Sequence, residues 1–216
     1  ENTRVALEGK SANPMSVFQD TINAVMQGKG AWASDLSLEK LDKVSLEKAF
    51  DFYNERFADA SDFTFTFVGN FKKDSIIPLL ETYLGSLPVT NRKENYKDVG
   101  IEPLPGKVTR IVHRGLEEKA VVVLTYHNEY NYEQTTNTQL NMIKSALETK
   151  LLKRLREKES GVYSPSVDLS KVKIPDPYYM FSISFSCAPD RVDDLIEATI
   201  YEIELLKNEV PTNDER

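Results

Sequence analysis

Leu140, Ile143, Leu147, Leu151 and Leu155 recur at steps of three and four, and the run stops where Gly161 interrupts it. That ladder predicts one long amphipathic helix from Asn131 to about Lys158. Val162 to Leu169 follows at once and reads as a strand. A helix that feeds directly into a strand must lay its apolar stripe on a sheet, and the chain supplies candidate strands for it. Phe63 to Val68 alternates rings with hydroxyls, the period-2 pattern of a half-buried strand. Lys107 to His113, Lys119 to His127 and Tyr178 to Cys187 read as further strands, with Arg114 to Glu118 as a hairpin turn or a wider connection.

Other helices announce themselves by their starts and stops. Asn13-Pro14 is an N-cap followed by proline at the first helical position, with Phe18, Ile22, Val25 and Met26 behind it and Gly28 and Gly30 as stops. Ser37 and Ser45 each cap a helical turn, the second leading into Leu46, Ala49, Phe50, Tyr53 and Phe57. Asp74 or Ser75 caps a helix that carries Pro78 in its first turn and ends at Gly85. Pro189-Asp190 opens the last helix, with Val192, Leu195, Ile196, Thr199, Ile203 and Leu206 facing inward.

From Ser45 the order is therefore helix, strand, helix, two strands, helix, two strands, helix. Adjacent strand pairs predict an α+β fold in two layers, a largely antiparallel sheet with helices packed on one face. Residues 1–44 read as the tail of a preceding α+β subdomain, and residues 45–216 as one α+β domain truncated at its end. The truncation is expected because Pro211-Thr212-Asn213-Asp214-Glu215 has the Thr-x-x-Glu form of a capping box whose helix would lie past Arg216. Residues 86–106 are polar and carry Pro88, Pro103 and Pro105, which suits a connection or a mobile flap.

Composition removes several functions. The net charge of −7 argues against nucleic-acid binding, since neutralising phosphates needs a basic face. No apolar run is long enough to span a membrane. The single cysteine, Cys187, excludes an internal disulfide, and its place at the end of an apolar strand predicts an inert buried thiol. His113 and His127 are the only histidines, and neither has a His or Cys near it in sequence, so no metal site is expected in this chain. There is no Gly-x-Ser-x-Gly elbow and no phosphate-binding glycine loop.

Arg156 and Tyr163 remain, flanking the turn Ser160-Gly161. They read in two ways. One is an arginine favoured by the helix dipole and a tyrosine in the core. The other is a shared site, in which a permanently charged fork and a directional hydroxyl hold a peptide carbonyl and stabilise charge developing on its oxygen.

Three stretches then carry a family resemblance. Phe52-Tyr53-Asn54-Glu55-Arg56-Phe57 with Phe63 to Asn70, Leu79 to Pro88 (LLETYLGSLP), and Leu155-Arg156-Glu157-Lys158 through Gly161-Val162-Tyr163-Ser164 resemble, in this order, segments of the pitrilysin/insulinase-type zinc metallopeptidases. The resemblance covers roughly residues 45 to 210 and looks closest to the second, non-zinc half of a bacterial member. It implies the metallohydrolase fold of the LuxS and mitochondrial-processing-peptidase type, with residues 45–216 as a peptidase C-terminal-type domain. It implies a parent that is a zinc endopeptidase, with no metal in this chain and zinc held in an N-terminal half or a partner subunit. It implies Arg156 and Tyr163 as substrate-binding and transition-state donors for peptide or unfolded polypeptide substrates, inactivity of this portion alone, and a periplasmic or envelope location. A noncatalytic structural or binding module of the same fold and an unrelated α+β interaction domain are the competing readings.

Overall fold

Alternation along Tyr178–Cys187 builds the centre of the molecule. Phe181, Ile183, Phe185 and Cys187 are buried, while the residues between them are half-exposed. In the computed structural model, which describes residues 2–28, 36–101, 103–162, 164–174 and 176–208, this segment is strand β3. It runs antiparallel to β1 (Ala120–Glu129) on one side and β2 (Ser166–Val172) on the other, giving the order β1-β3-β2. Register puts Val122 opposite Phe185 and Val167 opposite Ile183, so one face of all three strands is apolar. The other face carries Thr125, Ser182, Ser184 and Ser166, with the Ser166 and Ser184 hydroxyls 2.8 Å apart.

Two helices cover the apolar face. α6 (Gln134–Leu151) contributes Leu140, Leu147 and Leu151, and continues without a break into a π-helical segment, Leu152–Lys158, that contributes Leu155. α7 (Val192–Asn208) follows a single 3₁₀ turn at Pro189–Arg191 and contributes Leu195 and Ala198. Leu151, Leu155, Ile183 and Leu195 are wholly buried, each worth about 1.5–3 kcal/mol of apolar transfer. The expected architecture, helices on one face of an antiparallel sheet, is what the chain forms here. Ile143 departs from the expected ladder: it lies on the exposed side of α6. The strand expected from Val162 begins only at Ser166, because Val162 and Pro165 are buried in the corner that precedes the ladder.

This sheet and its helices form one compact unit, Leu116–Arg216; Glu1–Gly115 forms another. The first unit contains α1 (Asn2–Lys10), α2 (Pro14–Gln27), α3 (Leu38–Asp42), α4 (Leu46–Phe57) and α5 (Lys73–Tyr83). The boundary expected between residues 44 and 45 falls inside it, at the start of α4. Caps form where the side chains predict them. Asn13 accepts from the amides of Met15 and Ser16, Ser37 from Lys40 and Ser45 from Lys48. Gly28 closes α2 with a φ of 69°, a conformation that favours glycine. α5 departs from expectation: its N-cap is Lys72, without a side-chain bond, and the earlier start moves Pro78 into the second turn. The helix tolerates this at the loss of one backbone bond.

The expected strands at 63–68 and 107–113 are not formed. Period-2 alternation marks a segment fit for a ladder, but among the described residues no neighbouring strand pairs with either. Residues 86–106, expected as a connection or flap, are held at points along their length. Thr90 and Arg92 donate to Asp59, and the Leu104 amide donates to the Val25 carbonyl at 2.8 Å.

Candidate functional site

The corner between α6 and β2 is shaped by a helix that widens before it ends. The Glu159 amide donates to the Arg154 carbonyl, five residues back, at 3.1 Å, and the Gly161 amide reaches the Leu155 carbonyl at 3.3 Å. Ser160, not Gly161, carries the left-handed conformation of the turn, with φ 49°. Gly161 serves a different need: a Cβ there would lie 3.0 and 3.1 Å from the two methyls of Leu195. The glycine lets the turn sit directly against α7.

Charged groups tie the same turn to the start of α7. Glu159 accepts from Arg154 at 3.0 Å and from Arg191 at 3.2 Å, and Arg191 lies 3.6 Å from Asp194. The Arg154 guanidinium stands over the Tyr201 ring at 5.9 Å, and its buried Nε has no hydrogen-bond partner among the described residues. Arg154, Glu159, Asp194, Glu197, Ala198 and Tyr201 line a shallow depression of about 370 Å³. In sequence, Glu159 and Asp194 read as ordinary solvated helix faces, and nothing singled out the other four. The signal within reach was the five-residue interval from Arg154 to Glu159, which matches the wider winding of a π-helix and is out of step with an α-helix.

Arg156 lies within the π-helical segment, exposed, and among the described residues it has no ion-pair or hydrogen-bond partner. It does not line the depression: residues two apart on a helix do not share a face, and Leu155, between Arg154 and Arg156, is wholly buried. Tyr163 lies outside the described residues; its neighbour Val162 is buried and Ser164 is exposed.

The remaining candidates are placed without being joined. His113 belongs to the first unit and His127 to the second, and both are exposed. Among the described residues no group of three His, Cys, Asp or Glu side chains is arranged to hold a metal ion, so this donor set does not fit zinc. Cys187 is buried, and burial pushes its thiol up from the ordinary value, away from the reactive thiolate.

The Peptidase M16 inactive domain family matches residues 43–215. The chain belongs to this family. The match begins two residues before the Ser45 cap and runs through the whole Arg156 corner. The pitrilysin/insulinase-type resemblance is thereby met, and the description of the M16 domain as inactive agrees with a non-zinc half. Two curated relatives extend the M16 assignment. A zinc protease PQQL-like protein of Arabidopsis thaliana is 25% identical over 97% of this chain and 23% of its own length. A probable zinc protease PqqL of Haemophilus influenzae is 28% identical over 80% of this chain and 18% of its own length. The chain thus spans about a fifth to a quarter of these relatives.

Solved structures share the M16 fold. The periplasmic protease PqqL from Escherichia coli aligns with a TM-score of 0.80 at 22% identity, over 98% of this chain and 23% of that one. A mutant of the ferredoxin protease FusC, in complex with Arabidopsis ferredoxin, aligns at 0.76 and 18% identity, over 99% of this chain and 23% of that one. An M16 inactive domain from Pseudomonas fluorescens aligns at 0.65 and 11% identity, over 99% of this chain and 52% of that one.

Proposed function

We propose that this chain is the non-metal C-terminal portion of a zinc-dependent endopeptidase, which helps enclose and orient peptide substrates while zinc in the other half of the protein carries out hydrolysis. In this reading Arg156 and Tyr163 act together as donors to a substrate carbonyl. The supporting observation is the state of Arg156: a permanent cation held at the end of a buried helix, exposed, and without a partner among the described residues. Its backbone is anchored by the wholly buried Leu155, and its fork of donors is open to an oxygen acceptor. Both curated relatives are named as zinc proteases, which supports a zinc-dependent parent, and this reading puts the zinc in the rest of the protein. A periplasmic or envelope location follows the same analogy, from the Escherichia coli protein.

The test uses the full-length protein and an unstructured peptide. Turnover is abolished by a chelator and restored by zinc, and Tyr163→Phe and Arg156→Ala each lower kcat by roughly 10²–10³ with the circular-dichroism spectrum unchanged, the usual loss for one oxyanion donor. Unaltered turnover in both variants removes the donor role. Absence of chelator-sensitive turnover in the full-length protein makes the chain a noncatalytic module of the same fold.

A further inference from the structure

Arg154 and Glu159 are joined twice. The Glu159 amide donates to the Arg154 carbonyl at 3.1 Å, and the Glu159 carboxylate accepts from the Arg154 guanidinium at 3.0 Å. Both contacts span the same five-residue interval. On an α-helix, residues five apart stand about 140° from each other around the axis and do not meet. The wider π winding brings them onto one face. The ion pair therefore suits the present winding and not the α-helical one, and it reinforces the backbone bond that defines that winding.

Arg156 sits inside this doubly closed interval. Leu155, beside it, is wholly buried, and past Glu159 the turn at Ser160 and Gly161 packs against Leu195 of α7. The second oxygen of Glu159 accepts from Arg191 at 3.2 Å, in the 3₁₀ turn that precedes α7. One carboxylate thus ties the end of the long helix to the start of the last one. Only 28% of its side chain is exposed, so solvent screens these pairs less than it screens an open surface pair. Arg154 and Arg191 have second contacts as well: Arg154 lies over the Tyr201 ring at 5.9 Å, and Arg191 is 3.6 Å from Asp194. Of the three arginines at this corner, Arg156 is the one without a partner among the described residues.

We infer that Glu159 is a positioning residue for Arg156: by bridging Arg154 and Arg191 it holds the π-helical segment in one winding, and so fixes the backbone orientation from which the Arg156 guanidinium meets a substrate carbonyl. This rests on the reading of Arg156 as a substrate donor, and it adds the part that aims the donor. Glu159 acts through Arg156 and not on the substrate. A donor whose backbone is held gives up less freedom on engaging an oxygen, so the gain appears in turnover more than in the grip on the rest of the peptide. A neutral amide at position 159 keeps the size of the side chain and gives up the charge in both bonds.

Glu159→Gln in the full-length protein, assayed on an unstructured peptide, tests this. It should lower kcat roughly 10-fold with KM nearly unchanged. In an Arg156→Ala background the same substitution should cost nothing further, because residues that act as one unit are not additive. A loss of equal size with and without Arg156 makes Glu159 a purely structural residue and overturns the inference. So does unaltered turnover in Glu159→Gln while Arg156→Ala is impaired. Unaltered turnover in Arg156→Ala removes the donor reading itself, and the inference falls with it; which single variant is silent tells the two failures apart. Arg191→Ala cuts the same bridge from the α7 side and takes the place of Glu159→Gln if that variant loses its circular-dichroism spectrum. Its loss of kcat should depend on Arg156 in the same way, and Arg191→Lys, which keeps the charge, should recover part of it; a loss that ignores Arg156 overturns the inference here too.

Discussion

Asp59 and Thr90, 31 residues apart, are joined twice: one Asp59 oxygen accepts the Thr90 amide at 3.1 Å and the other accepts its hydroxyl. Ser61 donates to the same carboxylate with both its amide and its hydroxyl, and the Arg92 amide adds a further bond at 3.3 Å. This clasp fixes where the long connection leaves α5. Replacing Asp59→Ala removes the acceptor for all three partners at once. Fast amide exchange at Thr90 and Arg92, and new protease cutting near Asn91, are the expected outcomes. Unchanged exchange at both amides would mean the connection is held by other contacts.

The clasp also sets an acid limit. Hydroxyl and amide donors from Ser61 and then Thr90 stabilise the charged carboxylate and hold Asp59 well below its usual range. A depressed folded value means the stabilisation is complete above the unfolded pKa, about 3.9, and is lost as pH falls from there. Thr90 amide protection should therefore be flat from about pH 7 to 5 and decline below about pH 4. Asp59→Ala should abolish that dependence.

Gly161 tests the packing of the corner. Leu195 is wholly buried, so its methyls have little room to withdraw from a new Cβ at 3.0 Å. Gly161→Ala should cost about 1–3 kcal/mol by overpacking, read from the urea midpoint of this chain. Pairing it with Leu195→Val, which removes volume on the other side of the contact, should recover part of that loss.

Arg154 and Arg156 should separate stability from function. Arg154 pairs with Glu159 and covers Tyr201, so Arg154→Ala should lower stability by about 1 kcal/mol after allowing for solvent screening. Arg156→Ala touches no described partner and should stay within about 0.5 kcal/mol of the parent. In the full-length protein the order should reverse, with Arg156→Ala the more damaging to turnover. Equal effects of both variants on both measurements would remove the distinction.

Segments whose periodicity meets its partner inside the chain were legible. The β3 alternation, the Leu147, Leu151 and Leu155 ladder and the inward stripe of α7 all describe surfaces that meet one another. Phe63 to Val68 has as clear a pattern as β3, yet alternation states only that a ladder suits the segment, and nothing among the described residues completes it. The π-helical winding was hidden because a shift from four- to five-residue bonding leaves composition and spacing nearly unchanged. The Asp59 clasp was hidden because Thr90 and Arg92 lie 31 and 33 residues away, where a single sequence offers no pairing rule. At the corner, the Glu159 and Arg191 pairing was hidden because in sequence both resemble ordinary surface charge.

The stretch Leu152–Lys158 winds more loosely than the helix it extends, so it accommodates a surplus residue for its span. Deleting Lys153 while the coil tightens to α-helical winding would leave Leu155 three residues after Leu151 in place of four, still on the buried face. The guanidinium next to it in sequence would keep nearly its present bearing. The direction in which that cation points is thus set by the winding of the coil together with the number of links in it.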